Sequence, residues 1–158
     1  MEEKNANLDP FFLNQIPLYR ILVKYKVYLK ELGWQEYKEN GKGAGSTENS
    51  SRIEAIKIEV PYKPCEGGIS YRVKISKNGW TDWINDEGVA GVENSGRGIE
   101  HIEIKLTGEL GQLYDVNYRT HSLLVGWQKW VKNGEKAGLT RIEMIQIFIS
   151  PKLEYPNP

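Results

Sequence analysis

The sequence has 158 residues, enough for one domain of ordinary size. Its 21 basic and 21 acidic side chains give a formal net charge of zero, which argues against a protein that captures nucleic acid or an anionic membrane by bulk charge. No apolar run approaches the ~20 residues of a membrane-spanning helix, and no signal peptide is visible, so we expect no membrane insertion.

Few residues of the chain could support metal or covalent chemistry. Cys65 is the single cysteine, and His101 and His121 are the only histidines, at a spacing that matches no metal-binding motif. No phosphate-binding glycine loop and no nucleophile motif occurs in the sequence. We therefore expect no metal, no cofactor and no catalytic residue, and the protein is predicted not to be an enzyme.

The predicted elements are short strands. Val23, Tyr25, Val27 and Leu29 alternate with polar or amphipathic residues, the period-2 pattern of a half-buried strand. The same alternation recurs over residues 69–75 and again before residue 107. Asn-Gly pairs between such segments favour tight turns. No segment shows a helical pattern, so we expect an all-β fold without helices.

A motif of glycine, tryptophan and a second aromatic residue occurs three times. The three copies begin at Gly33, Gly79 and Gly126, so they are 46 and 47 residues apart, and they contain all five tryptophans of the chain. Further elements keep the same register in every copy: a preceding tyrosine, a turn residue, an Ala-Gly pair and a closing I-E-x-I-x-I segment. In chain order these are Tyr25, Tyr71 and Tyr118; Asn40, Asp86 and Asn133; Ala44-Gly45, Ala90-Gly91 and Ala137-Gly138; and residues 53–60, 99–106 and 142–149.

The repeats predict the architecture. One unit of about 46 residues cannot bury enough apolar surface to fold alone, whereas three units that share a core can. We predict a single domain over residues 1–158 with pseudo-threefold symmetry and repeat units at 23–60, 69–106 and 116–149. A β-prism-like arrangement is favoured, and a β-trefoil is the alternative. The extra residue between the first two isoleucines of each closing segment predicts either a β-bulge or the start of a strand at that place. The apolar residues 8–13 are expected to pack against the units.

The aromatic residues are the candidate ligand contacts. The two aromatics of each motif are three residues apart, so within one strand they would point to opposite faces. We predict that the first set, Trp34, Trp80 and Trp127, is buried. The second set, Tyr37, Trp83 and Trp130, is then exposed and available to stack on an apolar sugar face or a partner. The alternative is that both sets are buried.

Polar residues near these rings complete the candidate site. Gln35, Asp82 and Gln128 could hydrogen-bond to sugar hydroxyls beside an aromatic platform. The turn residues of the three units are interpreted as turn formers. The recurrent glutamates of the closing segments, Glu54, Glu100 and Glu143, are interpreted as structural residues beside the predicted bulge.

Residues 71–106 resemble the clostridial hydrophobic repeat with a conserved tryptophan, the ChW repeat. The resemblance lies in G-W-x-x-W, the D/N-G turn, the Ala-Gly pair and the I-E-x-I-x-I-x-L ending, and it covers three copies over residues 23–149. Tyr37 departs from the pattern in the first copy, and a loop is four residues shorter in the third. The resemblance implies a bacterial, non-catalytic module of extracellular or cell-surface proteins, and no specific ligand.

The leading functional hypothesis is a lectin-like module that binds a glycan, such as a cell-wall polysaccharide, through up to three weak equivalent sites. Such sites would act together through avidity. The alternative is a structural or assembly module of a phage, toxin or surface complex whose repeats bind a protein partner. Rings beside polar groups would favour sugar, whereas a flat contiguous apolar patch would favour protein.

Overall fold

The computed structural model describes residues 21–48 and 51–152. This part of the chain contains fourteen strands and one short helix, and the strands form three antiparallel sheets. The all-β prediction is confirmed. No closed barrel occurs among the described strands, so the β-trefoil alternative does not fit. The expected packing of residues 8–13 lies outside the described residues.

Sheet 1 is built around the first long strand. Its members are β1 (Lys24–Leu29), β2 (Gly33–Trp34), β3 (Lys38–Glu39), β5 (Ile53–Glu59) and β9 (Val89–Gly91). Strand β1 pairs on one side with β5 and on the other with both β2 and β3. The two short strands thus belong to a hairpin that folds back along β1.

Sheets 2 and 3 have the same internal pairing. Sheet 2 consists of β6 (Gly68–Ile75), β7 (Gly79–Trp80), β8 (Ile84–Asn85) and β10 (Ile99–Thr107). Sheet 3 consists of β4 (Ala44–Gly45), β11 (Tyr114–Ser122), β12 (Gly126–Trp127), β13 (Val131–Lys132) and β14 (Ile142–Pro151). In each, the long strand pairs with its closing strand and with two strands of two residues.

A β-bulge interrupts each closing strand at the predicted place. Leu29 is paired with Ile53 and Tyr28 with Ala55, so Glu54 has no partner on β1. The register shifts in the same way at Glu100 in β10 and at Glu143 in β14. The recurrent glutamates are therefore the extra residues of the three bulges.

The Ala-Gly pairs join neighbouring sheets. Strand β4 pairs with β14 of sheet 3, β9 pairs with β5 of sheet 1, and Ala137 bridges to Ile102 of sheet 2. Each glycine sits at positive φ against the carbonyl of a bulge glutamate; at Gly91, φ is +94° and a Cβ would lie 2.3 Å from Glu54 O. Glycine is required there because any side chain would overlap backbone.

Buried tyrosines make a second link between sheets. Tyr25, Tyr71 and Tyr118 are fully buried. Their hydroxyls accept hydrogen bonds of 3.1 Å from the backbone N–H of Ile147, Ile58 and Ile104, in each case on another sheet. The same hydroxyls donate to carbonyls of the turn that follows their own hairpin. A tyrosine recurs at this position because its ring fills the core while its hydroxyl satisfies buried backbone groups.

The centre of the molecule is apolar. Six buried isoleucines, two from each closing strand, surround a common space of about 10 Å³: Ile53, Ile56, Ile99, Ile102, Ile142 and Ile145. Residues at matching positions of the sequence repeat therefore meet in one core. The pseudo-threefold symmetry and the three unit boundaries stay predictions.

The expectation of no helix is wrong at one place. A helix, α1 (Gly108–Leu113), connects β10 to β11. Its two glycines are poor helix formers, but Leu110 is fully buried and its N–H donates to Glu66 O over 2.9 Å. Tertiary burial therefore outweighs local propensity. Within the described residues, no helix has the length and apolar character needed to cross a membrane.

Candidate functional site

Both aromatic sets lie on the outer faces of the sheets. The first tryptophan of each motif is only half-buried, and Trp127 is 37% exposed, so the prediction that this set is buried is wrong. The second set, Tyr37, Trp83 and Trp130, is also at the surface, and Trp130 is 39% exposed. The alternative of two buried sets is wrong as well.

The cause is a break in the strand between the two rings. Strand β2 ends at Trp34, residues 35–37 lie outside any strand, and β3 begins at Lys38. Sheets 2 and 3 have the same three-residue interruption. Alternation of faces holds only along a continuous strand, so the interrupted chain can return its second aromatic to the same face.

A basic side chain lies across the rings in each sheet. Lys26 Nζ is 5.2 Å from the ring centroid of Trp34 and 4.9 Å from that of Tyr37. We call Lys26, Trp34 and Tyr37 aromatic cluster 1. The distances are within the range of cation–π attraction.

Aromatic clusters 2 and 3 contain arginine in place of lysine. In cluster 2, Arg72 Cζ is 4.7 Å from the ring centroid of Trp80 and 5.0 Å from that of Trp83. In cluster 3, Arg119 Cζ lies 4.7 Å from Trp127 and 4.9 Å from Trp130. Each cluster therefore presents two aromatic rings and one cation on the outer face of its sheet.

The cations were not singled out from the sequence as part of the site. They could have been, because each directly follows a core tyrosine: Tyr25-Lys26, Tyr71-Arg72 and Tyr118-Arg119. A residue that follows an inward-facing one in a strand points outward. The recurring basic residue was therefore a signal for an outward-facing cation in every repeat.

Cross-strand partners hold the arginines but not the lysine. Arg72 Nε donates to Glu103 Oε1 over 2.8 Å, and Arg119 Nε donates to Gln146 Oε1 over 2.6 Å. At the matching position of sheet 1, Lys26 is paired with Lys57. Like charges on directly opposed residues repel each other, so cluster 1 is less fixed.

Cluster 1 has its own additional contacts. Lys24 Nζ lies 4.5 Å from the ring centroid of Tyr37 and 3.6 Å from Glu59 Oε1. Partial burial and the neighbouring Glu59 carboxylate raise the pKa of Tyr37. Trp34 Nε1 donates to Glu93 Oε2 over 2.9 Å, which connects this cluster to the loop after β9.

The three predicted polar contacts are not equivalent to one another. Gln35 and Gln128 directly follow the first tryptophan, and Thr81 occupies that position in sheet 2. Asp82 is one residue further along and is exposed. Gln35 Nε2 donates to Gly33 O over 3.0 Å, within its own hairpin.

Gln128 is the polar residue with an unused donor. Its Oε1 accepts a 3.3 Å hydrogen bond from Thr120 Oγ1, while its Nε2 is buried without a hydrogen-bond partner in the described protein. Gln128 lines a mainly apolar cavity of about 250 Å³ together with Val131 and Leu139. A buried amide N–H without a partner favours a ligand that brings an acceptor.

The turn residues have structural roles. Asn40 Oδ1 and Asn133 Oδ1 accept 3.0 Å hydrogen bonds from Val23 N and Val116 N, near the N-terminal ends of the long strands. Asp86 Oδ1 accepts one of 2.6 Å from Ile69 N. The same three residues shape the turns, as the sequence indicates.

The histidines lie beside the first tryptophans. The His101 ring stacks near Trp80, with 6.2 Å between centroids, and burial lowers the pKa of His101. The His121 ring meets Trp127 edge to face at 5.3 Å, and its Nδ1 is 3.2 Å from Glu143 Oε1. Over residues 21–48 and 51–152, no three His, Cys, Asp or Glu side chains converge as a metal site would require.

Comparison with known proteins gives one family. A family model described as Clostridial hydrophobic W, ChW, matches residues 28–61, the segment that runs from β1 through β5 and includes Trp34 and Tyr37. No curated protein and no solved structure matches the chain. The match suggests a cell-surface repeat module. Residues 28–61 of this chain are thus similar to the ChW repeat family.

Proposed function

We propose that the protein is a non-catalytic carbohydrate- or cell-surface-binding module that acts outside the cell, and that its aromatic clusters contact the glycan. The observation that carries the proposal is the placement of two aromatic rings and one cation on the outer face of every sheet. An aromatic ring offers a flat apolar surface to the C–H face of a sugar. The neighbouring basic and amide groups offer donors to its hydroxyls.

Cluster 3 is the strongest candidate of the three. Trp127 and Trp130 are both more than a third exposed, and Arg119 is held between them by its bond to Gln146. A preorganised platform loses less entropy when it binds. The unpaired Nε2 of Gln128 adds a hydrogen-bond donor at the adjacent cavity.

Cluster 1 is the weakest candidate. Tyr37 offers a smaller ring than Trp83 or Trp130, and Lys26 has Lys57 opposite it. Single stacking sites are modest in affinity, so binding to a polymer would depend on several clusters at once.

Protein binding is the alternative function. Leu124 is 96% exposed and Val125 is 51% exposed in the turn that precedes Trp127, an apolar tip beside cluster 3. The alternating charges and rings of the clusters favour sugar over a flat apolar partner. Both functions are compatible with a module that has no catalytic role.

The test is binding to purified bacterial cell walls and to a glycan array. We compare the native protein with Trp127→Ala, Trp130→Ala and the double variant, and use Tyr62→Ala, an aromatic 76% exposed outside the clusters, as the control. We expect the double variant to lose most binding and the control to keep it, at a temperature where both proteins are folded. Undiminished cell-wall binding by the double variant would refute the proposal. Release of soluble sugar by the native protein would contradict the non-catalytic role.

A further inference from the structure

A second, strongly basic pocket is lined by other residues than those of the aromatic clusters. Its volume is about 380 Å³, within the ~300–1,000 Å³ typical of small-molecule sites. The charged residues that line it are Arg52, Lys77, Arg97, Arg141 and Glu100, four cations and one carboxylate. We call it the arginine pocket. None of its lining residues belongs to an aromatic cluster.

The pocket lies where the three closing strands begin. Arg52 and Arg141 directly precede the first isoleucines of β5 and β14, and Gly98 is the matching residue before β10. A Cβ at Gly98 would lie 2.9 Å from Arg52 Cδ and 3.5 Å from Arg141 Cγ. The missing side chain at Gly98 therefore leaves room for two arginine side chains to pass over it.

Two of the arginines are oriented by protein groups. Arg52 Nε is 3.2 Å from Glu54 Oε2, and its Nη2 donates to Gly96 O over 2.6 Å. Arg97 Nη1 donates to Asn78 Oδ1 over 3.0 Å. These bonds use only some of the five N–H donors of each guanidinium.

Arg141 contributes an unused donor. Its Nε is buried and has no hydrogen-bond partner in the described residues. A buried charged donor without an acceptor costs free energy that an incoming acceptor would recover. The pocket thus combines an excess of positive charge with an unsatisfied donor.

We propose that the arginine pocket binds a tetrahedral oxyanion, the phosphate or sulfate group of a small ligand. Glu54 offsets the charge of Arg52, and Glu100 is the one carboxylate in the lining, so a net positive charge remains for the ligand to neutralise. Guanidinium groups bind phosphate and sulfate oxygens through paired, charge-assisted hydrogen bonds. The polar lining gives an uncharged apolar ligand little surface to contact.

The experiment is a titration of the full chain at constant ionic strength, followed by calorimetry and by amide chemical shifts. The probes are inorganic phosphate, inorganic sulfate, and glucose 6-phosphate with glucose as its uncharged counterpart. We expect saturable binding of the anions but not of glucose, with shifts confined to residues 51–54, 76–77, 95–100 and 141. If glucose 6-phosphate binds more tightly than phosphate, the ligand of the pocket is a sugar phosphate. If the two bind equally, the ligand is the free anion. A linear, non-saturating response to all three anions would overturn the proposal.

Variants locate the binding. Arg97→Gln and Arg141→Gln should each weaken phosphate binding about tenfold, as loss of one charge-assisted hydrogen bond predicts. Arg141→Lys should weaken it less, because the charge is retained. Lys42→Gln removes a charge from an exposed side chain outside the pocket and should bind as the native protein does.

Because Arg97 is exposed, its replacement tests the pocket even if Arg141→Gln does not fold. Native affinity in Arg97→Gln would refute the assignment. Glycan binding at the aromatic clusters should not change in these variants, so the two proposals can fail separately.

Discussion

The junctions between sheets and the outer aromatic clusters differ in how much they vary from sheet to sheet. At the junctions, every sheet uses a buried tyrosine hydroxyl, an Ala-Gly pair and a bulge glutamate in the same contacts. On the outer faces, the residue opposite the cation is Lys57, Glu103 or Gln146. The junctions are constrained by backbone geometry, whereas the outer faces can change and still leave the fold intact. The proposed ligand sites can therefore differ between the three sheets without cost to the core.

The largest loss of stability is expected at a junction glycine. Gly91→Ala places a methyl group against Glu54 O at positive φ, so we expect a loss of about 3 kcal/mol or more in the free energy of unfolding. Gly79→Ala is the control, because Gly79 has φ +85° but nothing within 4 Å of an added Cβ. It should cost about 1 kcal/mol. Urea denaturation measures both, and equal losses would show that the close approach at the junction is unimportant.

High pH should lower the stability of the protein, because the three junction tyrosines ionise less readily in the folded state than in the unfolded chain. Burial raises the pKa of Tyr25 to about 12 and raises the pKa values of Tyr71 and Tyr118 above the ordinary 10.0 as well. The folded protein keeps protons that the unfolded chain loses, so this stabilisation is complete below pH 10 and falls as the pH rises toward the folded pKa values. We expect a loss of about 1 kcal/mol per tyrosine between pH 10 and pH 11, about 3 kcal/mol for the three. Urea unfolding at the two pH values tests this, and an unchanged midpoint would contradict it.

Removal of the hydroxyl of one junction tyrosine should lower the free energy of unfolding by less than Gly91→Ala does. Tyr71→Phe leaves the N–H of Ile58 and the carbonyl of Gly88 without their partner, at a cost of about 1–3 kcal/mol. Tyr28→Phe, on the outer face, should change stability by less than about 0.5 kcal/mol. Thermal unfolding compares the two variants. A similar loss in both would remove the distinction between junction and outer face.

Replacement of an outer-face tryptophan should lower the free energy of unfolding less than replacement of a core residue. Trp80 is half-buried against Arg72 and His101, so we expect Trp80→Ala to lower stability by about 1–2 kcal/mol. A fully buried tryptophan would cost about 3–5 kcal/mol. A measured loss in that higher range, in urea at neutral pH, would mean that the first tryptophan contributes as a core residue.

The smallest changes in stability are expected when the cation of an aromatic cluster is replaced, and they should differ between clusters 1 and 2. Arg72→Gln removes the contact to two rings and the bond to Glu103, and should cost about 1 kcal/mol. Lys26→Gln also removes a repulsion with Lys57, so its net change should be within about 0.5 kcal/mol of zero. Equal effects of the two substitutions would contradict the inferred difference in rigidity.

The sequence predicted the strands, the turns and the bulges because each has a local cause. Period-2 alternation, Asn-Gly pairs and the extra residue after Ile53, Ile99 and Ile142 all act over a few neighbours. The helix at Gly108–Leu113 was missed because its stabilisation comes from Leu110 packing into the core, not from its own composition.

The position of the aromatics could not be predicted from their spacing alone. An interruption of the strand at residues 35–37 reverses the expected face of one ring, and nothing in the local sequence marks where hydrogen bonding to β1 resumes. The arginine pocket was also missed. It combines residues 52, 77, 97 and 141, which are distant in the chain and lie on loops whose packing depends on all three sheets.

The tyrosine hydrogen bonds between sheets affect how the chain folds and how many repeat units it can contain. Tyr25 bonds to Ile147, a contact that spans 122 residues, so the first sheet gains its partner only after the last has been made. Contacts of such long range slow folding and couple the units into one cooperative transition. Because Tyr71 bonds to sheet 1, Tyr118 to sheet 2 and Tyr25 to sheet 3, the chain closes on itself. An open solenoid can gain or lose a repeat at its end. In this chain the sheets close into a ring, so an inserted or deleted unit would break the contact between the first and the last sheet.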